Sequence, residues 1–302
     1  MDKLIRFYNQ NRGAFWIIVI IIIGVIGLIQ FLNNYYKDKN SSGINSTTTY
    51  NAIQNPIISG ENIENEINNK ATAIINEFIN SCNNNDIKKA YSLLSNECKK
   101  ELYPTIDDFK ENYHNRIFTE YKIYDIKSWI TTSNRLTYKI NITSDMLVTG
   151  KTDNLSIEEY YTIVKEDKEY KLNIHNFIGK DVINSKKTLN NVDFEIAERY
   201  IYIEYEIYRI NVKNKSNKKI MLDSRESTKN INILDQNNLK YIAFLNEINK
   251  NDLIIYPGIK RELNIKFNKS YNPEYSDKYI EFLDIIMDLD NNDKKDQIKI
   301  EL

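Results

Sequence analysis

The chain has 302 residues, 41 Lys+Arg against 42 Asp+Glu, a formal net charge of -1 and a mean hydropathy of -0.54. Residues 66–180 carry 16 basic and 17 acidic side chains and residues 188–302 carry 18 and 20, which excludes a protein that tracks nucleic-acid phosphates by net charge. The two histidines, His114 and His175, stand apart, which excludes a zinc site, and nothing in the composition asks for a cofactor or another metal.

Residues 1–13 read as a short cytoplasmic tail ahead of AFWIIVIIIIGVIGLIQFL at 14–32, where no polar side chain occurs from Ala14 to Ile29. At about 1.5 Å per residue this run matches the hydrocarbon thickness of a bilayer, and it predicts one transmembrane helix. A cleaved signal would need a shorter apolar region and small residues at a cleavage site, so an uncleaved anchor is expected. Lys3, Arg6 and Arg12 before the run outnumber Lys37 and Lys39 after it, and Trp16, Tyr35 and Tyr36 mark the two interfaces. The N-terminus is therefore expected in the cytoplasm and the rest outside the cell membrane. Residues 33–65, polar and rich in Ser, Thr and Asn, read as a flexible tether.

From Asn65 the apolar positions Ile67, Ala71, Ile74, Ile75, Phe78, Ile79 and Cys82 recur every three or four residues, one face of an amphipathic helix. Asp86, Ser95 and Thr105 are expected to cap three further helices, the last with Asp107 and Asp108 in its first turn. Cys82 and Cys98 can close one disulfide in an oxidising compartment, or serve as two small buried apolar groups. Beyond Thr119 the period becomes two, through Leu136, Tyr138, Ile140 and Ile142 to a hairpin turning at Glu166-Asp167-Lys168. The segment 66–180, through FINSCNNNDIKKAYSLLS at 78–95 and a strand pair ending in YKLNIHNFIG, resembles the NTF2-like (cystatin-like cone) superfamily. That resemblance implies an α+β domain in which helices pack on a curved antiparallel sheet.

A polar joint at 183–191 precedes residues 188–302, read as an all-β sandwich similar to the immunoglobulin-like domains of bacterial surface proteins. Its first strand, ERYIYIEYEIYRINVKN, slips phase between Ile207 and Ile210, which suggests a bulge. Turns are expected at 214–219, 235–238 and Pro257-Gly258, with later strands through Leu263, Ile265 and Phe267, Ile280 and Phe282, and Ile298 and Ile300.

Catalytic signals are weak. His114, Asp107, Asp108 and Asp145 are the acid–base candidates, but nothing in the pattern sets them in a dry pocket, and no catalytic residue is expected. Ser216-Asn217-Lys218-Lys219 and Ser270-Tyr271-Asn272 match fragments of the penicillin-binding signature without its third motif. Asp288-Leu289-Asp290-Asn291-Asn292 opens like a calcium loop but has Asp293 and Lys299 where Gly and Glu are required. Tyr200, Tyr202, Tyr205, Tyr208, Tyr271 and Tyr275 suggest an aromatic interaction surface or, equally, plugs for the core; Tyr200, Tyr202, Tyr208, Tyr271 and Tyr275 are taken as the candidate surface. The expected function is a non-catalytic, membrane-anchored interaction or assembly protein whose partners are the membrane, other envelope proteins and, as an open option, further copies of itself. Its layout resembles the VirB8-like scaffold subunits of conjugation and secretion systems, from which the terminal sandwich departs. The alternatives are an extracytoplasmic module that binds a small ligand, peptide or cell-wall fragment, and an NTF2-like enzyme.

Overall fold

A computed structural model describes residues 65–302 apart from 133, 146–155, 228 and 292–294. The expected tail and anchor at 1–32, and the tether as far as residue 64, lie outside the described residues. Among those described, no helix is long and apolar enough to cross a membrane.

Helix α1 (Asn65–Asn83) buries Ala71, Ile75, Phe78, Ile79 and Cys82, the face its spacing dictates. The short helices α2 (Ile87–Leu93), α3 (Asn96–Glu101) and α4 (Ile106–Phe109) start where a side-chain oxygen can take the orphan amides of a first turn: Asp86, Ser95 and Thr105 accept from Lys89 N, Cys98 N and Asp108 N. Asp108 answers by accepting from the Thr105 amide, completing a capping box. A wide π-type turn, Lys110–His114, then leads into α5 (Asn115–Ile117) and directs Tyr113 inward.

These helices cover an antiparallel sheet in the order β1 (Lys122–Thr131), β2 (Arg135–Ser144), β3 (Ile157–Glu166), β4 (Glu169–Asn173). The β3–β4 turn sits at the expected place, with Asp167 at φ 52°. A second sheet runs β12 (Lys260–Phe267), β7 (Glu206–Asn214), β6 (Val192–Tyr202), β5 (Phe177–Leu189). The third runs β10 (Lys240–Ile242), β9 (Ile231–Asp235), β13 (Asp277–Ile286), β8 (Ile220–Met221), β11 (Ile254–Ile255), with β14 (Lys295–Glu301) also paired to β13. Phe194 of β6 meets Phe282 of β13 with ring centres 5.5 Å apart, and apolar residues from the second and third sheets share one core.

The expectation of an α+β NTF2-like cone followed by a separate sandwich is corrected. Among the described residues strands hold 48% and helices 23%, so the fold reads as all-β with helices as a cover. The supposed joint at 183–191 is no break either: it is the second half of β5 and the turn into β6. Phe177 at one end of β5 belongs to the helix-covered core, while Ile183 and Leu189 pack on the core between the other sheets. A third apolar cluster, Trp129, Ile130, Tyr160, Ile178, Ile201 and Tyr271, fills the join between the first sheet and the start of the second. The described residues accordingly form one unit by their contacts. The expected bulge between Ile207 and Ile210 lies elsewhere: the long Tyr/Ile run is two strands, β6 and β7, turning at Ile203-Glu204, and the register shifts at Ile196/Glu198.

Candidate functional site

Two buried polar clusters stand out. The first lies beneath the helices. Residues of one parity on β3 face the core, so Glu159, Tyr161 and Ile163 point the same way. Glu159 is 6% exposed and its Oε2 accepts from the Tyr113 hydroxyl at 2.7 Å. That donation uses the only Tyr113 proton, so the Tyr161 hydroxyl, 2.5 Å away, donates to the Tyr113 oxygen. Burial pushes the Glu159 carboxyl up to about 7, against the lowering effect of the Tyr113 hydrogen bond. Tyr103 OH lies 2.9 Å from Nδ1 of His175, whose pKa is lowered by burial and then by Arg116, leaving a neutral ring at neutral pH. The space around this cluster is filled by Phe78, Phe109, Tyr113, Phe118 and Tyr138, all within one continuous core.

The second cluster is a chain of alternating charges joining all three sheets. Arg135 of β2 binds Asp181 of β5 at 2.8 Å, Asp181 binds Arg199 of β6 at 2.5 Å, and Arg199 binds Asp277 of β13 at 2.6 Å. Gly179 makes the first link feasible, because a Cβ there would stand 2.8 Å from Arg135 Nε. Asp277 Oδ2 also accepts from Tyr208 OH at 2.6 Å, and its Oδ1 touches the ammonium of Lys269. Lys269 Nζ is 3.3 Å from Glu206 Oε1. Burial first, and the Asp277 charge second, push the Glu206 carboxyl up to about 8. Burial also pulls Asp277 upward, but Lys269, the Glu206 hydrogen bond and Arg199 outweigh it and hold Asp277 below the ordinary carboxylate range.

The residues expected from sequence fall elsewhere. His114 is buried, with Nε2 3.0 Å from the Cys82 carbonyl oxygen and its ring stacked on Phe118, a clamp between the π-type turn and α1. Asp107 and Asp108 open α4, and Asp145, half-buried just past β2, donates its backbone N–H to the Tyr121 carbonyl. The suggested disulfide is corrected: Cys82 and Cys98 are free, buried thiols of one apolar cluster, Cys82 at the end of α1 and Cys98 in α3, where burial raises both, Cys98 to about 12. The five tyrosines do not form one exposed face. Tyr208 and Tyr271 are buried; Tyr200 is buried beneath Arg209 and donates to Glu198 Oε2 at 2.7 Å. Tyr202 is half-buried between Phe177 and Tyr205, and Tyr275 alone reaches solvent. Asp288 binds Lys218 at 2.6 Å and Asp290 binds Lys219 at 2.7 Å, so each of these two carboxylates of the loop has a lysine partner. Ser216 Oγ ties down its own turn by donating to Asn214 Oδ1. Among the described residues no three His, Cys, Asp or Glu side chains converge as metal ligands.

Sequence reasoning passed over Glu159 and Glu206, although each sits at an inward-facing strand position among apolar neighbours of the same parity, and that placement was the available signal. Lys269 and Asp277 pair with each other across eight residues but gave no local signal, because the partners that complete the group, Glu206, Arg199 and Tyr208, come from another sheet. No family model matches this chain, and neither does any curated protein or solved structure.

Proposed function

We propose that the chain is a non-catalytic, membrane-anchored module that presents an interaction surface outside the cell. One observation carries this reading: the space between the helices and the first sheet, where an enclosed ligand would sit, is occupied by the protein's own Phe78, Phe109, Tyr113, Tyr138 and Tyr161. A filled interior weighs against capture of a small molecule there. The continuity of β5 through both cores supports a body that holds its outer surface at a fixed geometry. On that surface Tyr256 and Ile259 flank the Pro257-Gly258 turn at 56% and 47% exposure, with Lys219 above the Tyr256 ring, an aromatic and aliphatic tip of the kind protein contacts use. The apolar run at 14–32 supports attachment to the membrane through the polar tether.

The test is a photo-crosslinking amino acid placed at Tyr256 in intact cells, with one at the buried Tyr161 as control. A discrete adduct with another envelope protein, formed from position 256 alone, is expected. A chain that stays free at both positions, while a small molecule co-purifies with it in stoichiometric amount, would replace this reading with that of a ligand carrier.

A further inference from the structure

Lys269, Asp277 and Glu206 meet at a place that excludes water. Each side chain keeps 2% of its surface exposed. Lys269 Nζ is in direct contact with Asp277 Oδ1, Glu206 Oε1 stands 3.3 Å from the same nitrogen, and Glu206 hydrogen-bonds to Asp277. The Tyr241 ring centre is 5.5 Å from Nζ, and Phe267 packs edge-on against Tyr208 beside the group. An ion pair buried this deeply keeps much of its desolvation penalty, because Coulomb attraction only partly offsets the loss of water. A neutral product of the two groups would escape that penalty.

We propose that Lys269 and Asp277 join through an intramolecular isopeptide bond, between Nζ and Cγ, that forms within the folded protein with Glu206 as proton carrier. A proton first crosses the direct contact from Nζ to Oδ1, turning ammonium and carboxylate into amine and acid. The nitrogen lone pair then attacks Cγ, and the carbonyl electron pair moves onto Oδ2. Arg199 Nη1 and Tyr208 OH, each 2.6 Å from Oδ2, are placed to hold the negative charge that develops there. Glu206 accepts a second proton from the nitrogen and delivers one to Oδ1. The Cγ–Oδ1 bond breaks, water leaves with two of the three ammonium protons, and the third remains on the amide nitrogen. Nothing is oxidised or reduced, and no co-reactant is needed. Glu206, with its carboxyl at about 8, keeps a proton to deliver at neutral pH. Fixed contact between reacting groups is worth effective concentrations on the order of 10⁵ to 10⁸ M, and a dry site removes the solvent that favours the reverse hydrolysis. The bond would close residues 269–277 into a ring and fix the segment that carries Tyr271 and Tyr275.

The purified full chain supplies the test. Its intact mass is expected to be lower than the sequence mass by one water. Trypsin should fail to cut after Lys269, giving peptide 267–278 whole, lighter by one water, and without fragment ions from breaks between 269 and 277. The Glu206→Gln variant, which keeps the shape of the side chain, should have the full sequence mass and be cut after Lys269. A wild-type chain of full mass that is cut there overturns the proposal, as does a water loss that maps to other residues. A bond that forms at the wild-type rate in Glu206→Gln overturns the part given to Glu206.

Discussion

Replacing Glu159 by glutamine removes one titrating group while keeping its volume and an oxygen that can accept from Tyr113. In the wild-type fold this carboxyl rises from an ordinary 4.5 to about 7, chiefly through burial. Below pH 4.5 the group is protonated in folded and unfolded chains alike, and its contribution to stability is fully present. As the pH rises, the unfolded chain releases its proton first, so the folded state loses ground until about pH 7, above which the difference stays constant. At about 1.4 kcal/mol per pH unit the loss reaches about 3 kcal/mol. Urea unfolding of both proteins from pH 4.5 to 8 measures it. Glu206 and every other titrating group contribute equally to the two curves, so subtraction isolates Glu159. The variant should gain on the wild type by about 3 kcal/mol between pH 4.5 and pH 7.5. Parallel curves would refute the claim that a buried proton is held at this position.

Other expectations follow from packing. Phe78 lies 5.7 Å from Tyr161 and 6.1 Å from both Phe109 and Tyr113, so Phe78→Ala should cost about 3–5 kcal/mol in urea unfolding; a loss below about 1 kcal/mol would mean that the core is loosely filled. Gly179→Ala places a methyl group 2.8 Å from Arg135 Nε and should cost about 1–3 kcal/mol. That loss should shrink when Arg135 is already alanine, and a loss independent of Arg135 would contradict the close approach. Cys82 and Cys98, buried and with raised pKa, should resist a thiol reagent in the native chain and react fully after denaturation. Rapid native labelling, or a mobility change on reduction, would show that they are exposed or bridged.

How much could be read from the sequence depended on how local each determinant is. The buried face of α1, the caps Asp86, Ser95 and Thr105, and the turn at Asp167 rest on contacts within a few residues, and all were legible. The strand β5 was not. Its second half is an edge whose polar side chains pair across the sheet, Lys186 with Glu195 at 2.8 Å and Thr188 with Asp193 at 2.9 Å, and Asn184 at φ 58° interrupts the alternation at a bulge. A strand stabilised in this way has the composition of a linker. The β6–β7 turn was hidden for the opposite reason, since Ile203-Glu204 contains none of the residues that usually mark a turn. Weighting the clear helical signals of 65–118 over such strands produced the α+β expectation that the strand content overturns. The charged cluster was illegible because Arg135, Asp181, Arg199, Glu206, Lys269 and Asp277 come from strands and a loop far apart in the chain, and only the folded topology brings them together.

Residues 65–302 are held as one body, with a filled interior and β5 running through both cores, and amide hydrogen exchange measured along a urea series is the most direct probe of that state. Amides of β3 in the first core and of β7 and β13 in the second should lose protection at the same urea concentration, with Trp129 at the join reporting the same midpoint by fluorescence. Two separated transitions, with one core exchanging freely while the other stays protected, would contradict a single rigid body and leave two independent domains on a hinge.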